Sequence, residues 1–154
     1  MQAMPDNDSI ALRIAVSDDT GDLARLHARC FPRGWDETSI GTFVANPACM
    51  VFIASAGEAN ACHGFLIARS ASSEAEILTL AVDPGHRHKG VARALLAATI
   101  ARLKLTGITQ LFLEVESDNE AAECLYRGFG AKSVGHRPAY YEHDADASIF
   151  SLAL

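Results

Sequence analysis

A strand, a helix and a second strand follow one another between Glu76 and Val115, and this order constrains the fold more than any other feature of the chain. Glu76–Val82 is a β-type run that ends at Pro84-Gly85. From Lys89 to about Thr106 the spacing is helical, with Val91, Leu95, Leu96, Ala98 and Leu103 on a wide apolar arc and Arg93 and Lys104 opposite. Arg102 falls inside the arc, where it must snorkel or find a partner. Gly107 stops the helix, and Gln110–Val115 is again a strand. A helical crossover of this kind joins parallel strands of one sheet.

The segments before and after it fill in an α+β layout. Leu12–Val16 reads as a strand, and Asp18, Asp19 or Thr20 caps a helix with Leu23, Leu26 and His27 on one face. Pro32-Arg33-Gly34 breaks that helix. Asp36 caps a second one carrying Ile40, Phe43 and Val44, which Asn46-Pro47 ends. Cys49–Ser55 and Ala61–Ala68 form a hairpin around Gly57–Asn60, and a polar turn at Ser70–Ser73 leads into Glu76–Val82. After Val115, Asn119 caps a helix reaching about Phe129, and Lys132–His136 and Ser148–Leu154 are the last strands. The order β-α-α-β-β-β-α-β-α-β-β predicts a mixed, mostly antiparallel sheet of about seven strands flanked by helices. The 154 residues suit one domain over 11–154 behind a flexible 1–10.

The start of the chain has no basic region followed by an apolar run, and Arg93, Arg102 and Lys104 interrupt the most apolar stretch. The expectation is a cytoplasmic protein that neither enters a membrane nor, at a net charge of −6, binds nucleic acid directly. Cys30, Cys49, Cys62 and Cys124 form no Cys-x-x-Cys pair and read as small buried hydrophobes rather than nucleophiles. His86-x-His88 lacks a third ligand at a suitable spacing, so no metal is expected. No Gly-x-Ser-x-Gly marks a serine hydrolase.

Charge is unevenly distributed. His86, Arg87, His88, Lys89 and Arg93 cluster where the loop enters the long helix, whereas Glu114, Glu116, Asp118, Glu120 and Glu123 follow with no basic residue among them. A helix start offers free N–H groups and the positive end of its dipole to phosphate oxygens. Gly90 and Ala92 are small enough for a ligand to approach the backbone. Neither the Gly-x-x-x-x-Gly-Lys-Ser/Thr loop nor the Gly-x-Gly-x-x-Gly fingerprint is present. On its own, the cluster also fits a solvated helix start that is basic by chance.

Arg87-His88-Lys89-Gly90-Val91-Ala92 resembles the Arg/Gln-x-x-Gly-x-Gly/Ala signature with which GNAT acetyltransferases hold the pyrophosphate of acetyl-CoA. The resemblance runs from about Leu12 to the C-terminus and is strongest from Ile77 to Tyr141. Within the family the chain is most similar to the RimI type, which acetylates N-terminal alanine of a ribosomal protein. Phe31-Pro32-Arg33-Gly34-Trp35, Leu80-Ala81-Val82-Asp83-Pro84, Leu113-Glu114-Val115, Asn119-Glu120-Ala121-Ala122, Leu125-Tyr126 and Arg137-Pro138-Ala139-Tyr140-Tyr141 carry that similarity. Glu116, Ala92, Phe129-Gly130-Ala131 and Glu142 depart from it.

The resemblance implies acetyl-CoA as co-substrate, held by Leu80, Ala81, Val82, Arg87, His88, Lys89, Gly90, Val91, Ala92, Arg93 and Asn119. Acetyl transfer needs a neutral amine, a stabilised oxyanion and a proton for the leaving thiolate. An α-amine, with a pKa near 8, needs only a mild base. Partial burial would suit Glu114 to that role, though a strand-end glutamate also serves as a structural ion-pair partner. The resemblance makes Tyr126 the acid, against its alternative as a packed aromatic. It also places Trp35, Tyr140 and Tyr141 beside the acceptor. The expected activity is N-acetylation of a basic peptide N-terminus, on a ribosomal protein, by a monomer or weak homodimer. Acetylation of a small amine or lysine side chain is the alternative, and a non-catalytic CoA-binding module a second one.

Overall fold

The computed structural model describes residues 9–116, 118–137 and 146–154. Its elements are β1 (Ile10–Ile14), α1 (Thr20–Cys30), α2 (Glu37–Ala45), β2 (Cys49–Ala56), β3 (Gly64–Ala71), β4 (Glu74–Val82), α3 (Val91–Leu105), β5 (Gln110–Glu116), α4 (Glu120–Gly128), β6 (Lys132–Arg137) and β7 (Ala147–Ala153), with short 3-10 turns at Ser17–Asp19 and Pro84–His86. The element order is the one the sequence predicts, with boundaries displaced by at most three residues. The seven strands lie in the order β1-β2-β3-β4-β5-β7-β6. β1, β2 and β3 pair antiparallel, as do β5 with β7 and β7 with β6. β4 and β5 pair parallel over Glu74–Glu76 and Gln110–Phe112, as the crossover through α3 requires.

Contacts divide the chain into two units. The first holds the described residues up to Arg69 together with Leu78–Ala101. Its core joins Leu23, Leu26 and Ile40 of the two early helices to Val51, Ile53, Phe65, Ile67 and Ala81 of the strands. The helical period delivers Leu23 and Leu26 to one side of α1, and the strand period delivers Val51 and Ile53 to one side of β2. Asp36 caps α2 by accepting the Ser39 N–H at 2.8 Å, as expected from its position before the apolar spacing.

Asp19 does not cap α1 with its side chain. Its carboxylate takes both Arg13 guanidinium nitrogens at 2.8 Å and the Val16 N–H at 2.8 Å. A bidentate ion pair outcompetes a single backbone bond. The Arg13 hydrogen bonds hold this carboxyl below the usual range.

The second unit holds Ser70–Ile77 and Arg102–Leu154. Strict alternation along β5 buries Leu111, Leu113 and Val115 and leaves Phe112, Glu114 and Glu116 half-buried. Phe150, Leu152 and Tyr126 complete this core. Arg102 lies between the directions of the buried Val91 and Leu95 and is exposed, as a snorkelling guanidinium near the end of α3 is. One sequence expectation fails. Cys124 is exposed on α4, and Cys30, Cys49 and Cys62 are only half-buried, although Cys30 and Cys62 pack against the core of the first unit.

Candidate active site

β4 ends at Val82, and Asp83 builds the turn that leaves it. Its carboxylate accepts the Gly85 N–H at 2.9 Å and pairs with the Arg29 guanidinium from the last turn of α1. The Gly85 bond first, and the Arg29 charge after it, hold the Asp83 carboxyl below its ordinary range. His86 closes the turn and stacks on the His63 ring, centroids 3.7 Å apart and planes at 17°. The His86 Nδ1 atom is buried without a hydrogen-bond partner among the described residues, 3.9 Å from an Asp83 carboxylate oxygen. Of the two histidines in His86-x-His88, one ring is packed and the other is exposed.

Beyond His86 the backbone alternates in hand. Arg87 has φ −74°, His88 +62° and Gly90 +84°, with Lys89 between them outside the left-handed region. Two left-handed residues within three positions let the chain turn sharply into α3. The Ala94 N–H donates to the Gly90 carbonyl at 3.0 Å and opens α3. The N–H groups of Val91 and Ala92 stand ahead of this first helical bond, at the positive end of the helix dipole. A Cβ on Gly90 would stand in open space, its nearest neighbour the Ile10 Cδ1 at 3.8 Å. Room for phosphate oxygens thus lies against the backbone itself, with the exposed side chains of Arg87, His88, Lys89 and Arg93 around it. These residues fit a diphosphate in shape and charge.

Gly64 sets where α3 starts. A Cβ there would lie 2.7 Å from Val91 Cγ1, 3.1 Å from the Ala81 carbonyl and 3.2 Å from Leu95 Cδ1. Only a glycine lets β3 and the first turn of α3 press together, which brings the opening of the helix up to the sheet beside Ala81. Along β4, Ala81 is buried in the core, whereas Leu80 and Val82 are half-buried. The Val82 carbonyl accepts from Arg87 Nε and from the Cys30 thiol, both at 3.3 Å.

In the second unit, Glu114 is half-buried on β5, paired in register with Ile149 of β7. Asn119 caps α4 by accepting the Ala122 N–H at 3.1 Å. Tyr126 is buried on the inner side of α4, its ring centroid 6.5 Å from that of Phe150. Its carbonyl accepts from the N–H groups of Phe129 and Ala131 at 3.1 Å, closing the helix. Packing alone is thus a sufficient reason for the Tyr126 ring.

A sequence model of the Acetyltransferase (GNAT) family matches residues 21–131. The chain belongs to this family. Over 93 residues it is 36% identical to the ribosomal protein bS18-alanine N-acetyltransferase of Escherichia coli strain K12, a match covering 58% of this chain and 63% of that one. It therefore spans less than two thirds of that relative's length. The crystal structure of the ribosomal-protein-S18-alanine N-acetyltransferase from Escherichia coli superposes with a TM-score of 0.86 at 26% identity, covering 94% of each chain. Arabidopsis thaliana NAA60, solved in complex with acetyl-CoA, shares the fold with a TM-score of 0.83 at 20% identity, over 95% of this chain and 99% of that one.

Against this GNAT frame the remaining candidates separate. Trp35 is half-buried and stacks on His27 at 4.6 Å and 18°, with Phe43 at 5.3 Å. Tyr140 and Tyr141 lie outside the described residues. In the last turn of α1, His27, Arg29 and Cys30 reach respectively the Trp35 N–H, Asp83 and the Val82 carbonyl, contacts that no motif in the sequence marks. The one available signal was a histidine on an apolar helix face. Its partners come from a loop and a strand that no local spacing connects to it.

Proposed function

We propose that this chain transfers the acetyl group of acetyl-CoA to the α-amine of a peptide N-terminus, with a basic ribosomal protein in the cytoplasm as the acceptor class. The observation that supports the cofactor half is the loop from His86 to Arg93, where two left-handed residues, a glycine without close neighbours and a helix start meet exposed basic side chains. Arg87, Lys89 and Arg93 supply charge to the diphosphate, and the N–H groups of Val91 and Ala92 supply direction. The ladder between β4 and β5 takes in β4 only as far as Glu76. This leaves Leu80 and Val82, further along the strand, to bond the pantetheine arm.

The acceptor half rests on the similarity to the bS18-alanine enzyme and on the acidic residues of the second unit. Glu116, Asp118, Glu120 and Glu123 follow Glu114 along β5 and α4 and favour a cationic partner. Glu114 takes the proton of the attacking α-ammonium, directly or through one water. The neutral amine nitrogen bonds to the acetyl carbon, the C–S bond breaks, the Tyr126 phenol gives its proton to the departing sulfur, and the second proton shed by the new amide nitrogen restores the phenol through water. Trp35 packs along the acceptor's first residues. Asn119 both caps α4 and faces the cofactor.

Thiol release from acetyl-CoA, measured against peptides differing in their first residue, tests this reading. Turnover with a free α-amine behind a small first residue is expected. A competition between that peptide and one blocked at its N-terminus but carrying a free lysine tests the acceptor. Preference for the blocked peptide would overturn the α-amine assignment.

A further inference from the structure

The loop Phe31–Asp36 between α1 and α2 is folded back onto the last turn of α1, and three contacts hold it there. A Cβ on Gly34 would fall 2.7 Å from the Cα and 2.9 Å from the Cβ of Ala28, so the loop backbone lies flat on the helix. The Phe31 ring packs on the His27 ring at 4.4 Å and 32°. The Trp35 indole stacks on the other side of the cluster, and its backbone N–H donates to His27 Nδ1 at 3.0 Å. His27 is 3% exposed, so this bond is not exchanged for water.

With Nδ1 accepting, the neutral imidazole carries its proton on Nε2. That atom lies 3.3 Å from Thr79 Oγ1, a buried hydroxyl on β4 one residue before Leu80. One ring thus joins the loop to the strand, and both nitrogens are used. We infer that His27 is a positioning residue for the acceptor: it holds the Trp35 loop against β4, so that the peptide meets a preformed surface. This rests on the acetyltransferase reading above and adds to it a residue that touches neither substrate.

The sequence contains one tryptophan, and it is Trp35. Its fluorescence therefore reports the loop without any activity measurement. In His27→Leu, which removes both hydrogen bonds, acrylamide quenching of Trp35 should rise at least twofold. The KM for an acceptor peptide should rise roughly tenfold, the size set by two neutral hydrogen bonds, while acetyl-CoA affinity stays at the wild-type value. His27→Asn puts an amide oxygen where Nδ1 stood and should recover most of both effects. Thr79→Val keeps the shape and removes only the strand anchor; it should move both readouts in the same direction by a smaller factor. It also decides the matter if His27→Leu does not fold. Unchanged quenching together with an unchanged peptide KM in these variants would overturn the role of His27. A wild-type protein that acetylates no peptide would instead overturn the activity, and quenching alone would then show whether His27 holds the loop.

Discussion

Gly90 has two properties that only separate variants can disentangle. Its φ of +84° strains any other residue, and its missing side chain leaves the space proposed for phosphate. Gly90→Ala should cost about 1 kcal/mol of stability and weaken acetyl-CoA binding modestly. Gly90→Glu adds a carboxylate at the same point and should abolish binding in isothermal calorimetry. Equal affinities for the two variants would remove the diphosphate from this loop. At Tyr126, substitution by Phe keeps the ring against Phe150 and removes only the phenolic proton. Turnover should fall on the order of 100-fold with acetyl-CoA affinity unchanged. Wild-type turnover would leave Tyr126 a packing residue whose burial is its whole purpose.

At the scale of elements, caps and close approaches decide where helices begin. Asn119→Ala removes the bond to the Ala122 N–H and should lower the unfolding free energy by about 1 kcal/mol in urea denaturation. Gly64→Ala is a harsher change although it adds a single methyl. That methyl would sit 2.7 Å from Val91 Cγ1, so α3 must move off β3, at about 1–3 kcal/mol. Because Val91 opens the helix next to Gly90, this variant should also weaken acetyl-CoA binding in isothermal calorimetry. The caps at Asp36 and Asn119 were legible because a cap is a local matter of three residues. The role of Asp19 was not, since Arg13 competes for its carboxylate from a strand six residues away.

For the molecule as a whole, the buried imidazole of His27 couples stability to pH. Burial pushes its pKa from 6.5 down to about 4, so the folded state keeps it neutral where the unfolded chain takes up a proton. Stability is then complete above about pH 6.5 and is lost as pH falls toward 4, by about 3 kcal/mol if the full shift is realised. His63, lowered first by burial and then by the neighbouring His86 charge, acts in the same direction. Urea midpoints at pH 7.5 and 4.5 measure the loss, and His27→Leu should flatten most of the difference. Acetyl-CoA at a hundred times its dissociation constant should add about 2.7 kcal/mol of apparent stability.

What the sequence by itself determined is what neighbours along the chain can dictate. The helical period of 91–105 and the strand periods on either side required a crossover, and with it the parallel pairing of β4 and β5. Basic residues and a glycine at one helix start are the local pattern on which the proposed anion site rests. Tertiary structure decided the rest, because strand partners and side-chain partners are chosen among distant segments. It placed β7, the last strand, between β5 and β6 and left β6 at the sheet's edge. It turned Cys124 outward, and it gave His27 a loop on one nitrogen and a strand on the other. A pattern of spacing can put a histidine on the buried face of a helix, but only the packed fold supplies the two groups that its ring nitrogens bind.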